Sequence, residues 1–167
     1  MQVLTTYSDL AKGTQTNKWK KLADTWFSRM IRLQGADSNG MCKCISCEKL
    51  VHIKKIQCGH FVSRRKLSTR FLKENCFPQC YACNVGQNGN YASFARQLQE
   101  TYGSEIIKEL DEKSKKLQKM SAVDYLEIIG ECMHQVNCAL CDKGIEKWWN
   151  ETGIEKTILK IYEKTHL

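Results

Sequence analysis

An α+β fold is expected of this 167-residue chain, and three observations predict it. Two Cys-x-x-Cys pairs, Cys44/Cys47 and Cys80/Cys83, are separated by 32 residues and frame a segment with short strand-like runs. Ahead of the frame, apolar residues recur at three- and four-residue intervals, which is one face of a helix. Past residue 90 the helical spacing returns and persists. Four thiolates in tetrahedral array make a closed structural site for Zn²⁺. The expected core is therefore a zinc-stapled loop of two short strands and a turn, with a helix starting just beyond the second pair.

Taken in order, residues 1–15 lack periodicity and read as a loose leader. Trp19, Leu22, Ala23, Trp26, Met30 and Leu33 define a helix from about Asn17 to Leu33, capped by Thr16 and ended by Gly35; both tryptophans read as core. Leu50–Ile53 and Ile56–Phe61 read as strands joined across Lys54-Lys55. Pro78 stiffens the approach to the second cysteine pair. Asn90 can cap a helix through Tyr91, Phe94 and Leu98 to a stop at Gly103, and Ser104 can cap the next. The charged run 111–119 reads as an exposed helix end or linker. Ser121 and Asp124 resemble a capping box opening a long apolar helix that Gly144 closes. Ile145–Trp149 and Ile154–Tyr162 are expected to be helical. The resulting division is a leader (1–15), a first helix plus cysteine-framed core (16–103), and a helical C-terminal region (104–167).

Charge narrows the function. From Lys43 to Lys73 there are nine basic residues and one acid, Glu48, so this stretch carries the whole net charge of +8 while the rest is balanced. Positive charge concentrated in one framed segment is the footprint of a polyanion site, and nucleic acid is the expected partner. Arg64, Arg65, Lys66, Arg70 and Lys73 are the expected phosphate contacts; a solvated basic loop is the plainer alternative. Ten cysteines without a secretory pattern at the N-terminus point to thiols in a reducing cytoplasm. No apolar run approaches the roughly 20 residues of a membrane span.

Within the frame stands His60. An imidazole with an ordinary pKa near 6.5 is mostly neutral at pH 7 and can accept a proton from water. A hard cation such as Mg²⁺ or Mn²⁺ needs only one or two protein oxygens, because it keeps several waters. Asn84, directly after Cys83, is suited to supply one. Phosphodiester hydrolysis requires such a base and such a cation. The plainer readings are a structural or turn histidine for His60, and turn or cap residues for Asn75 and Asn84.

Cys58-Gly59-His60, Asn75 in ENCFPQC and Asn84 in CYACN together resemble the HNH, or ββα-metal, nucleases. The two cysteine pairs around the histidine are similar to Holliday-junction resolvases of the endonuclease VII type. KWKKLADTWFSRMIRLQG, CGHF, PQCYACN and the following GNY most closely resemble the phage NinG/Rap family of recombination nucleases, over roughly residues 17–150. The resemblance implies a zinc-stabilised ββα nuclease core and a metal-dependent endonuclease acting on branched recombination intermediates such as Holliday junctions and D-loops. It implies His60 as general base, Asn75 as the residue that orients it or steadies the loop, and Asn84 as a ligand of the catalytic Mg²⁺ or Mn²⁺. If phage-encoded, the protein would work in the host cytoplasm.

One departure stands out. Many relatives carry an acid directly before the histidine, where this chain has Gly59; Asn90, Asn88 and Glu74 are alternative ligands. Cys42 and Cys58 read as packing residues. A second cluster, Cys132, His134, Cys138 and Cys141, has spacing suited either to another zinc or to buried thiols on an apolar helix. The long C-terminal helices suggest a homodimer, with a monomeric helical domain as the alternative. The rival functions are a non-catalytic zinc module that binds nucleic acid and a general HNH endonuclease of another pathway.

Overall fold

A computed structural model describes residues 6–166. The fold is α+β, mostly helical with two small antiparallel sheets. The chain divides into two compact units: residues up to Met30 together with those from Met120 onward, and Ile31–Lys119.

The first unit is all helix. Its elements are α1 (Tyr7–Ala11), most of α2 (Thr16–Gln34), α6 (Ala122–Lys143) and α7 (Gly153–His166). Trp19, Trp26, Leu126, Ile129, Met133 and Ile158 are completely buried. Trp26 donates its indole N–H to Glu155 Oε1 at 2.8 Å, while Glu155 Oε2 accepts from the Thr152 amide and hydroxyl at 2.7 Å each. That buried carboxylate is therefore fully partnered, which is the condition for burying a charge at all. Ser121 and Asp124 form the expected capping box, and Gly144 closes α6 in the left-handed conformation at φ 63°.

Two expectations fail here. The supposed leader contains α1, capped by the Thr6 side chain, with Tyr7 and Leu10 buried; residues 1–5 lie outside the described residues. A single apolar pair three residues apart makes only one helical turn, too short to register as periodicity. Ile145–Trp149 is not helical, because Trp149 is held edge-on to Trp26 and under the Arg29 guanidinium instead.

The second unit carries the cysteine frame. Strand β1 (Met41–Lys43) pairs antiparallel with β2 (Leu50–His52), and β3 (Gln57–His60) pairs antiparallel with β4 (Cys76–Gln79). The two strands read from the sequence thus exist but do not pair with each other. Each takes a partner that carries a cysteine pair at its end, so the pairing is set by sulfur rather than by the Lys54-Lys55 turn. Pro78 sits inside β4, which a two-stranded sheet tolerates because every strand is an edge. The short helix α3 (Leu67–Arg70) lies between β3 and β4, and helices α4 (Tyr91–Tyr102) and α5 (Ile106–Lys115) close the unit over a core of Phe94, Leu98, Ile106 and Leu110. α5 therefore belongs with the cysteine frame, not with the C-terminal helices. Neither Asn90 nor Ser104 caps its helix: Asn90 is left-handed at φ 44° with its amide turned to Cys83, and Glu105 precedes α5 without a side-chain cap.

Candidate metal and nucleic-acid site

The four cysteines of the two pairs converge. Their sulfurs all lie within 4.8 Å of one another, and Cys47 Sγ stands 3.7 Å from Cys80 Sγ. Tetrahedral Zn²⁺ with bonds of about 2.3 Å requires sulfur–sulfur edges of about 3.8 Å, so the donor set fits zinc. Each pair sits on a tight backbone turn, with the Glu48 amide donating to the Cys44 carbonyl at 2.9 Å and the Asn84 amide to the Cys80 carbonyl at 2.8 Å. The sulfurs also receive N–H donors: the Cys80 amide reaches Cys44 Sγ at 3.3 Å and the Asn90 side chain reaches Cys83 Sγ at 3.6 Å. Burial works against the Cys44 thiolate, but the amides of Cys80, Cys47 and Ser46 outweigh it and lower its pKa. For Cys83 burial wins, pushing the thiol up to about 12. Four thiolates cannot crowd together without a cation to neutralise them, and a bound metal resolves that conflict.

His60 ends β3 directly opposite Cys76. Its Nε2 lies 3.1 Å from the Arg70 carbonyl, and a carbonyl can only accept, so the ring donates there. Burial lowers the His60 pKa, and the Arg64 and Arg70 charges add to this, against the opposing pull of the Arg70 and Cys58 backbone. The imidazole is consequently neutral at pH 7.

Asn75 is completely buried. Its Oδ1 accepts from the Val62 amide at 2.7 Å, and its Nδ2 donates to the carbonyls of Val62 at 3.0 Å and Thr69 at 2.9 Å. The side chain clamps loop 61–75, which bears all five expected phosphate contacts. Arg64, Arg65, Lys66 and Lys73 are exposed on it, and Arg70 is half-buried with its guanidinium donating to the Arg64 carbonyl.

Asn84 lies in a π-helical turn, Ala82–Gly86. Its Nδ2 donates to Gln57 Oε1 at 2.8 Å, which orients the amide. In the alternating strand, Gln57 faces away from the side that carries Cys58 and His60. Asn84 is thus anchored to the opposite face of β3 from the imidazole. Of the alternative ligands, Asn90 serves the Cys83 sulfur, Asn88 is exposed, and Glu74 lies in the 3₁₀ turn before β4.

The structure explains the glycine before His60. A Cβ at Gly59 would collide with Gln79, whose Oε1 occupies that space and whose Cβ would lie 2.8 Å away. Gln79 is itself completely buried, donating to Ser46 Oγ at 2.7 Å and the Gly89 carbonyl at 2.6 Å. Gln57 and Gln79 were not singled out from the sequence; only the register of β3 on β4 brings them to this site.

A second group also converges: the ligand atoms of Cys58, His60 and Cys76 lie within 4.8 Å of one another. The helical cluster does not assemble. His134 Nε2 comes within 3.7 Å of Cys138 Sγ, but Cys132 is buried while Cys141 is exposed.

The sequence model of the bacteriophage lambda NinG protein family matches residues 8–143. The chain belongs to the NinG family. No curated protein and no solved structure matches it. The NinG match covers α2, α6 and the whole cysteine-framed unit but not α7, so the sulfur cluster, His60 and the basic loop all lie within the matched sequence. Among the described residues, no helix is long and apolar enough to cross a membrane.

Proposed function

We propose that this NinG-family protein is a metal-dependent endonuclease, with an HNH-like core, that cuts branched DNA during phage recombination. The observation that carries the reading is a neutral, part-buried imidazole at the end of β3 beside a clamped loop rich in basic residues. With Nε2–H committed to the Arg70 carbonyl, Nδ1 is the nitrogen that takes a proton from the attacking water. Asn75 steadies the loop so that Arg64, Arg65, Lys66, Arg70 and Lys73 meet the phosphate backbone in a fixed arrangement. A Mg²⁺ or Mn²⁺ ion, when bound, would polarise the phosphate and stabilise the leaving oxygen; Asn84, expected from the sequence to hold it, is anchored on the opposite face of β3 from the imidazole. Gly59 contributes no side chain, so water and phosphate oxygens complete that coordination. The four cysteines hold Zn²⁺ as a structural staple.

Cutting a four-way junction cleanly takes two nicks, most simply from two copies of the chain. The apolar residues of α6 and α7 that suggested pairing are buried within their own unit, so a homodimer on DNA would use other surfaces. Light scattering of the protein with and without a junction reads that directly.

The deciding experiment compares cleavage of four-way junctions, D-loops and linear duplex in Mg²⁺ by the wild type and by His60→Ala. Junction cutting by the wild type, lost by at least about 100-fold in the variant with binding retained, supports the reading. Equal cutting of linear duplex would favour a general HNH endonuclease. Binding without cutting by either protein would favour a non-catalytic zinc module.

A further inference from the structure

Cys58, His60 and Cys76 have no part in the zinc frame, yet they meet. The register explains why. His60 pairs with Cys76 across the β3–β4 ladder and Cys58 pairs with Pro78, so all three side chains project from one face of the sheet. Their ligand atoms lie within 4.8 Å of one another. Tetrahedral bonds of about 2.3 Å to sulfur and about 2.0 Å to nitrogen would draw them to about 3.5–3.8 Å, a closure of about 1 Å that side-chain rotation supplies.

The surroundings suit an ion rather than a disulfide. Cys58 and Cys76 are diagonal neighbours on adjacent strands, with Cα atoms expected about 7–8 Å apart, beyond the usual reach of a disulfide at about 4.4–6.8 Å. The Arg70 carbonyl holds His60 through Nε2 at 3.1 Å and lies 3.8 Å from Cys76 Sγ, an outer-shell group of the kind that fixes a ligating imidazole. Cys76 is buried, whereas Cys58 and His60 are half-exposed and give an ion access from solvent.

We propose that Cys58, His60 and Cys76 form a second Zn²⁺ site, separate from the four-cysteine centre, and that its occupancy silences the nuclease. On binding, each thiol releases its proton to water as a sulfur–zinc bond forms, and the His60 lone pair is taken up by the metal. Two thiolates cancel the charge of the ion, leaving a weak Lewis acid with little power to activate water. The site rests on geometry alone; the silencing rests on the reading of His60 as the general base.

Cobalt separates the two. The full-length protein carrying one equivalent of zinc, enough for the four-cysteine centre only, is titrated with Co²⁺, and the thiolate-to-cobalt absorption bands are followed. The wild type is expected to take up about one further equivalent, and the Cys58→Ser/Cys76→Ser variant none, with its four-cysteine zinc retained and its circular dichroism that of the wild type. A wild type that develops no bands, or a variant that develops the same bands, overturns the site. If the double variant does not fold, Cys58→Ser alone, at the half-exposed position, replaces it. Junction cleavage in Mg²⁺ is then measured with and without added Zn²⁺. Loss of cleavage in the wild type but not in the variant supports silencing. Equal loss in both, or zinc-supported cleavage that needs the cysteines, overturns it. If neither protein cuts DNA with any metal, the nuclease reading and with it the silencing fail, while the cobalt bands still decide the site.

Discussion

The two units of this chain solve the same problem by different means. The helical unit buries Trp19, Trp26, Leu126, Ile129 and Met133 completely, and apolar burial of that kind contributes about 1.5–3 kcal/mol per large side chain. The cysteine-framed unit has strands of three and four residues, too short to stand alone. It is held by converging sulfurs and by buried amides, Asn75 and Gln79. The candidate chemistry sits on the β3–β4 sheet and its basic loop rather than within the Phe94, Leu98, Ile106 and Leu110 core of that unit, because donors and acceptors that must meet a substrate cannot also be sealed in hydrocarbon.

The sharpest way to separate the units is to remove the staple. Cys80→Ser, or a strong chelator, should unfold the cysteine-framed unit, since apparent zinc affinities in small modules are about 10–16 kcal/mol. Helical circular dichroism from α2, α6 and α7 should largely persist. Loss of all structure in one transition would mean that the units are not independent. Next in size, Met133→Ala should cost about 2–5 kcal/mol by leaving a cavity in the helical unit, with zinc content unchanged by metal analysis. Asn75→Ala should cost about 2–3 kcal/mol by stranding the Val62 and Thr69 groups that its side chain satisfies. Amide exchange should then speed up across loop 61–75 and not in α6.

A pH test distinguishes the units more gently. Burial alone would raise the Glu155 pKa, but hydrogen bonds from Thr152 and Trp26 and the Arg29 charge prevail and lower it. A depressed carboxylate contributes stability that is present above the unfolded value, about 4.3, and is lost as pH falls through the folded value. Glu155→Gln should therefore flatten the acid limb of unfolding for the helical unit; an unchanged limb would assign acid sensitivity elsewhere. The smallest effect expected is Ser121→Ala, about 1 kcal/mol through loss of the α6 cap, visible as a modest drop in Tm.

What the sequence disclosed follows the same division. α2 and α6 were legible because their apolar faces repeat over several turns, and the Ser121–Asp124 box marks a start by local chemistry alone. The convergence of Cys44, Cys47, Cys80 and Cys83 was legible from spacing. The partners of β2 and β3 were not, because strands this short have no alternation long enough to set a register. For the same reason the meeting of Cys58, His60 and Cys76 was hidden, and Cys58 read as packing. Asn90 and Ser104 have the composition of caps but not the conformation, since the Cys83 sulfur claims one and Glu105 displaces the other.

The contact between Gly59 and Gln79 constrains how this site can evolve. Gln79 fills the space beside Gly59 while reaching Ser46 in the first cysteine turn and Gly89 beyond the second. Gly59→Asp by itself would drive a side chain into a buried amide and disturb both turns at once; shortening Gln79 by itself would open a hole and strand the Ser46 and Gly89 partners. Each change is harmful without the other. The two positions form a ratchet, and a lineage that has entered the glycine–glutamine state leaves it only by a coupled replacement, so residues 59 and 79 should be inherited as a pair across close relatives.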